Sequence, residues 1–139
     1  MWPFLFSINK EEIMKHYHSL RKTMDFQLVY RTGRSKANKY VVFYYKKNSF
    51  GYNRLGISVS KKVGNSVVRH RVTRLIRESY RLNQEKLKNG YDIVIVARNT
   101  AKDIDYHKME SAFMHLAGLH HLKRVDEVEK DINCNHSVL

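Results

Sequence analysis

The segment from Asn65 to about Arg81 constrains the fold most, because its apolar residues predict a helix with one narrow core face. At about 100° per residue, an arc of about 100° collects the core candidates Val68, Val72, Leu75, Ile76 and Ser79. The arginines of the segment fall outside that arc: Arg69, Arg71, Arg74, Arg77 and Arg81. Asn65 is a favourable N-cap. This helix must therefore bury one side and present a cationic surface on the other.

Two further helices are predicted, one on each side of this segment. A helix over about 23–32 is indicated by apolar residues spaced three and four apart, namely Phe26, Val29 and Tyr30. Thr23 is expected to be its N-cap, and Gly33 its C′ residue with a left-handed backbone. A last helix is expected to begin after Asp105, which can cap it.

Three strands are predicted at 40–45, 55–59 and 91–97, from β-branched, aromatic and alternating residues. The first two most simply form an antiparallel hairpin. The order αββαβα indicates an α/β (α+β sandwich) fold, with a mixed four-stranded-type sheet packed with about three helices. The unit over 54–97 could be a parallel crossover, and such connections are right-handed in nearly all proteins.

One domain is expected over 20–122, with 1–19 a flexible N-terminal extension and 123–139 a flexible tail. No apolar run approaches the ~20 residues of a membrane span, and the apolar start lacks the basic and small-residue features of a secretory signal. A single cysteine, Cys134, forbids an internal disulfide and fits a reducing, cytoplasmic location.

The excess positive charge lies in one contiguous block. Net charge is +13, and Phe26–Arg77 holds 13 Lys and Arg residues with no acid, whereas the rest of the chain is neutral. Such a block attracts polyanions, with nucleic acid favoured over an anionic membrane. It also lacks the clustered carboxylates with which metal-dependent nucleases hold their ions. Asp92, Asp103 and Asp105 are expected to act as caps and turn residues.

Other side chains leave alternatives open. Aromatic residues beside a basic patch can stack on single-stranded bases, but alternate residues of a strand face opposite sides, so one aromatic set must be core. The histidines of the last helix show no metal-binding motif and are expected at the helix surface: His107, His115, His120 and His121.

The arginine-bearing segment reads Val63-Gly-Asn-Ser-Val-Val-Arg-His-Arg-Val-Thr-Arg-Leu-Ile-Arg-Glu. This string resembles the arginine-rich signature of the bacterial ribonuclease P protein family. The similarity extends through 54–62, 20–30 and 92–98, and covers about 20–121. Two positions depart from the family pattern: His70 replaces an asparagine, and Thr73 replaces a base.

The resemblance implies the protein subunit of an RNA–protein endonuclease that removes the 5′ leader from precursor tRNA. The RNA would be the catalyst and would hold most of the Mg²⁺. The protein would bind catalytic RNA and precursor tRNA, contribute no catalytic residue, and need no obligate protein partner. The resemblance also implies a left-handed crossover, against the general rule.

Two groups of residues are expected to contact RNA. The catalytic RNA would be bound by Lys61, Lys62, Asn65, Arg69, His70, Arg71, Arg74 and Arg77. The leader would lie in a cleft between the first helix and the sheet, lined by Phe26, Tyr30, Lys36, Asn38, Tyr40, Tyr44 and Arg54. Asn65 is the one protein group considered as a Mg²⁺ contact.

Two other functions remain as alternatives. A small structural RNA-binding protein, such as a ribosomal protein, would carry the same charge, and bound ribosomal RNA would distinguish it. A self-sufficient metal-dependent nuclease would cleave RNA in the complete absence of an RNA subunit.

Overall fold

The computed structural model describes residues 16–124, which form one mixed sheet and three α-helices. The strands are β1 (His18–Ser19), β2 (Arg34–Ala37), β3 (Val41–Lys47), β4 (Arg54–Ser58) and β5 (Tyr91–Ala97). The helices are α1 (Thr23–Thr32), α2 (Ser66–Asn83) and α3 (Tyr106–Leu119). Short 3₁₀ turns follow α2 and β5, at Gln84–Lys86 and Asn99–Ala101. The predicted α+β class and its three helices are confirmed.

The strand order is β1-β4-β5-β3-β2, so the predicted hairpin between β3 and β4 is wrong. β5 lies between them, antiparallel to β3 and parallel to β4. Its residues from Asp92 to Ile95 are all buried, and a strand that is apolar on both faces belongs in the middle of a sheet. β4, α2 and β5 therefore form a parallel crossover, and its left-handed sense stays a prediction.

β2 was not predicted, because all four of its residues are exposed and only one is apolar. It forms the hairpin with β3 that the sequence had suggested for β4. The side chain of Asn38 organises the turn, since its Oδ1 accepts from the amides of Tyr40 and Val41 at 3.0 Å each.

The two faces of the sheet are covered by different helices. Val41 and Phe43 of β3 point into the main core, which α2 and α3 also enter through Val72, Ile76 and Phe113. The alternate residues of the strands face α1, where Leu20, Val29 and Val94 form a smaller buried cluster. We call this second side the α1 face of the sheet. Any cleft between the first helix and the sheet must lie there.

The domain begins before Leu20 and continues past 122, so the predicted boundaries need correction. His18 and Ser19 pair in parallel with Arg54 and Leu55 of β4, and Lys123 forms a β-bridge with Leu87. A short segment has few apolar residues to signal its pairing, which is why the sequence placed both pieces outside the domain. The predicted extension up to residue 15, and the tail from residue 125 with Cys134, lie outside the described residues.

The predicted N-caps are confirmed for two of the three helices. Asn65 and Asp105 cap α2 and α3 as predicted, accepting from the amides of Val68 at 3.0 Å and Lys108 at 2.8 Å. Thr23 is instead the first residue of α1, whose N-cap is Lys22 without a side-chain bond.

Gly33 ends α1 for a different reason from the one predicted. Its φ of −83° is ordinary, but a Cβ there would lie 2.5 Å from the Val29 carbonyl oxygen and 2.7 Å from that of Tyr45. The glycine is required by the close approach of two backbone segments.

Gly33→Ala is therefore expected to lower the free energy of unfolding by about 1–3 kcal/mol, because neither carbonyl can move without shifting an element of the fold. Urea denaturation would measure the loss. Gly118→Ala is a matched control: its Cβ would meet only the flexible end of Lys123 at 3.4 Å, and alanine favours a helix interior. An equal loss in both variants would contradict the close-approach argument.

His120 lies in the core, not at the helix surface as predicted. Only 6% of its surface is exposed, its Nε2 lies 3.1 Å from the carbonyl oxygen of Phe43, and its ring packs 4.5 Å from that of Tyr45. His120 is the C-cap of α3, so it follows a helical face that is otherwise apolar. Burial lowers its pKa, which keeps the ring neutral and its Nε2 a donor to that carbonyl.

This histidine is expected to make stability depend on pH. The unfolded chain protonates His120 near pH 6.5, whereas the folded protein resists protonation. Its contribution is thus complete above that pH and is lost as pH falls toward the lowered pKa of the folded state. Denaturation from pH 7 to pH 5 should show a steeper loss for the wild type than for His120→Gln, whose amide can still reach Phe43. His115→Gln, on the exposed side of α3, should follow the wild type.

Candidate nucleic-acid interface

The basic turn before α2 and the start of that helix are open to solvent. Lys61 and Lys62 are exposed, in a turn that ends shortly before α2 begins at Ser66. A helix N-terminus with adjacent lysines suits phosphate oxygens. The Asn65 amide oxygen already accepts the Val68 amide, so a Mg²⁺ ion at this oxygen would compete with the helix cap.

The arginines of α2 lie on two flanks of the helix and do not form a single stripe. Toward β1, Arg77 Nε donates to the Tyr17 hydroxyl at 2.8 Å. Toward α3, Arg71 donates to the carbonyl oxygens of Ile104 at 2.6 Å and Lys102 at 3.3 Å. Arg71 therefore also anchors the loop before α3. Sequence reasoning missed this structural role because helical periodicity does not show which loop lies beside a helix.

On the α3 flank, an open groove of about 460 Å³ runs along α2. It is lined by Val67, His70, Arg71, Arg74, Leu75 and Glu78. Arg74 and His70 are exposed, while Arg69 on the other flank is half-buried. The Thr73 hydroxyl donates to the Arg69 carbonyl at 2.8 Å, so the position that departs from the family pattern is satisfied within the helix.

Three of the predicted cleft residues meet on the α1 face. The rings of Tyr30 and Tyr44 are 4.9 Å apart and nearly perpendicular, and those of Phe26 and Tyr30 are 6.3 Å apart. Phe26 lies directly over Gly56, where a Cβ would come within 2.6 Å of its ring. Tyr30 is 39% exposed, and partial burial raises the pKa of its hydroxyl, which also bonds with Ser58. The result is an uncharged aromatic surface along one side of α1.

The other predicted cleft residues on and around β2 lie on the opposite face. Lys36 pairs with the core residue Phe43 and shares its side of the sheet, Asn38 donates to the Ala112 carbonyl of α3 at 3.0 Å, and Tyr40 packs against the main core. The prediction that these three join Tyr44 in one cleft is wrong. Tyr40 precedes the first residue of β3, so strand alternation does not extend to it.

Arg54 lies on the α1 face, but its charge is already compensated. Its Nε and Nη2 donate to the two carboxylate oxygens of Asp92 at 2.8 and 2.6 Å, and Asp25 lies 3.6 Å away. Both acids lie outside the basic block in the sequence, but the fold brings them into contact with one of its arginines. Asp92, expected to be a cap or turn residue, instead forms a nearly buried ion pair.

Residues 16–124 lack two other features that would point to a different function. Within that range no three His, Cys, Asp or Glu side chains come together as a metal site. In the same part of the chain, no helix combines the length and apolar character that crossing a membrane requires.

An α+β domain with an arginine-bearing helix, a lysine turn and an aromatic cleft is a nucleic-acid-binding module in its chemistry. The family model for ribonuclease P matches residues 14–120. The chain belongs to the ribonuclease P protein family.

Similar proteins support this assignment in sequence and in structure. The chain is 57% identical over 115 residues to the ribonuclease P protein component of Lachnoclostridium phytofermentans, covering 83% of this chain and 97% of that one. It is 54% identical over 103 residues to the component of Alkaliphilus oremlandii, with coverages of 74% and 90%. The Staphylococcus aureus RNase P protein structure superposes with a TM-score of 0.71 at 33% identity, covering 78% of this chain and all of that one. The Thermotoga maritima protein gives 0.67 at 32% identity, with coverages of 72% and 94%.

Proposed function

We propose that this chain is the protein subunit of a ribonucleoprotein that removes the 5′ leader of precursor tRNA, binding the catalytic RNA on one surface and the leader on another. The observation that carries the proposal is the separation of the two surfaces in a member of this family. The aromatic cleft lies on the α1 face of the sheet, and α2 packs on the opposite face. One small domain is thereby able to contact two RNA segments at once.

The catalytic RNA would be bound by the lysine turn and the two flanks of α2. Lys61, Lys62, His70 and Arg74 are exposed and can approach phosphates without breaking a bond within the protein. Arg71 and Arg77 already donate to protein oxygens, but each guanidinium has five N–H donors and can serve both partners. Contacts to phosphates position the protein and carry most of the salt dependence.

The leader would lie against Phe26, Tyr30 and Tyr44. Stacking of bases on aromatic rings tolerates any sequence, since every base has a π-face. Binding of this kind requires no common sequence among the leaders of different precursors. An uncharged aromatic surface can therefore bind leaders of any sequence. Lys36, Asn38 and Tyr40 face α3, so they are not part of this surface.

Cleavage would belong to the RNA, with Mg²⁺ held mainly by its phosphates. Mg²⁺ prefers oxygen ligands and keeps several of its waters. RNA phosphates supply such oxygen ligands readily. Asp92 is committed to Arg54 and Asp105 to the cap of α3. The protein would then act by binding and positioning, as an accessory subunit.

Reconstitution tests this function directly. Adding the full chain to its cognate catalytic RNA at low Mg²⁺ should raise the rate of precursor cleavage, because the protein's cations replace part of the counterion requirement. Absence of any stimulation would overturn the proposal. Ribosomal RNA as the dominant RNA recovered with the protein from cells would favour a structural role, and cleavage by RNA-free protein would indicate a nuclease.

A further inference from the structure

A second aromatic surface lies beyond the cleft, around the loop that connects β3 and β4. The ring of His18 stacks on that of Tyr52 at 3.9 Å and 30°, and the Tyr52 and Phe50 rings stack at 5.5 Å and 27°. The guanidinium of Arg54 lies 4.6 Å from the centre of the Phe50 ring. We propose that this column of four side chains, the loop stack, binds single-stranded bases of the leader beyond those held in the cleft.

The loop stack is continuous with the cleft floor. Lys46, Asp92, Arg54 and His18 are register partners across four neighbouring strands. The next row of partners on the same side, two residues along each strand, is Tyr44, Val94 and Gly56, which is the floor beneath Phe26. Asp25 in the first turn of α1 reaches Arg54 at 3.6 Å. A strand of RNA leaving the cleft at this end would therefore meet the loop stack next.

The chemistry of the loop stack suits single-stranded RNA. Phe50 is 50% exposed and Tyr52 39%, so both rings keep accessible surface after stacking on each other. Its surroundings are cationic, with Lys46 and Lys47 ending β3 beside the loop. The two nearby acids, Asp25 and Asp92, are already paired with Arg54. Aromatic rings within a positive surface are the recurring arrangement for sequence-tolerant binding of single strands.

The rings are not needed to shape their own loop. Asn48 holds it through the backbone, since its Oδ1 accepts the Phe50 amide at 3.0 Å and its Nδ2 donates to the Tyr52 carbonyl at 3.1 Å. Its Nδ2 also donates to Asp92 at 2.9 Å. At the other end of the column, His18 borders a pocket of about 190 Å³ whose lining includes Asn89. This pocket adds an amide group able to bond a base edge.

The inference rests on the proposed function, so its test separates the two. Reconstituted holoenzyme would be titrated with precursor tRNAs whose leaders lengthen one nucleotide at a time, and affinity would be measured for each. For the wild type, affinity should rise until the leader spans both the cleft and the loop stack. The Phe50→Leu/Tyr52→Leu variant keeps apolar bulk but loses the π-faces. Its affinity should stop rising at a shorter leader length, and it should bind the longest leader roughly tenfold more weakly than the wild type does.

A control variant completes the test. Leu82→Ala, at a site 56% exposed near the end of α2, should bind every leader as the wild type does. An unchanged double variant, with leader dependence intact in the wild type, would overturn this inference and leave the proposed function standing. A loss of equal size on tRNA without a leader would also overturn it, by showing that the rings act elsewhere. No leader dependence in the wild type would overturn both.

Discussion

Replacing Lys61, Lys62 and Arg74 together by alanine is expected to weaken binding of the catalytic RNA on the order of 100-fold, through three lost charge-assisted contacts. These residues are exposed at the start and on one flank of α2, and the structure gives them no part in the core. The triple variant should therefore fold normally. The slope of log affinity against log salt should become shallower by about 0.9 for each lost phosphate contact.

Filter binding or fluorescence across a range of salt concentrations would measure both quantities. A charge-matched control is Lys39→Ala/Lys86→Ala/Lys108→Ala, which removes three exposed lysines that lie outside residues 61–77. If both triple variants lose the same affinity and slope, binding depends on net charge alone and not on the α2 surface. If neither triple variant changes the affinity or the slope, the α2 surface faces solvent in the complex.

Asp92→Asn is expected to lower the free energy of unfolding by about 3 kcal/mol, because it leaves Arg54 without its charged partner in a nearly buried position. The Arg54 and Asp92 side chains are 19% and 9% exposed. Both carboxylate oxygens now accept, from Arg54 and from Asn48. An asparagine would turn an NH₂ group toward one of these donors, so a hydrogen bond is lost together with the charge.

Thermal denaturation should show a decrease in melting temperature on the order of 10 °C for a domain of this size. Asp103→Asn, at an exposed turn, is the control and should change little. Replacing Arg54 and Asp92 together by leucine should recover part of the loss, since an apolar pair avoids the unpaired charge. A stable Asp92→Asn protein would show that Asp25 alone compensates Arg54.

Local pattern predicted the helices of this fold well, and pairing of distant segments poorly. The apolar arc of α2 enters the core at Val72, Ile76 and Ser79 as expected, because helical periodicity is a property of neighbouring residues. The position of β5 between β3 and β4 depends on which strands pair most favourably with one another. The residues of one segment alone do not reveal this. β2 and β1 were missed because short polar strands take their structure from a partner.

The candidate site was predictable to the same extent. Phe26 and Tyr30 share a helix face, and the alternation of β3 brings Tyr44 to them. Lys36 and Tyr40 were misplaced because the register of β2 and the first residue of β3 decide their side. The Arg54–Asp92 pair joins residues 38 positions apart, and His120 reaches a carbonyl 77 positions away. Such contacts become visible only when the sheet is assembled.

The central place of β5 has a consequence for how the chain comes together as it is synthesised. β3 and β4 share no ladder of their own and are joined only through a strand that emerges from the ribosome later than α2. The whole cationic block is thus made before its sheet can close, with the apolar side of α2 still lacking most of its core. Non-local pairing of this kind slows folding and prolongs exposure of apolar surface. A chain truncated before Tyr91 would carry nearly all the groups that attract RNA but not the strand that holds them in place.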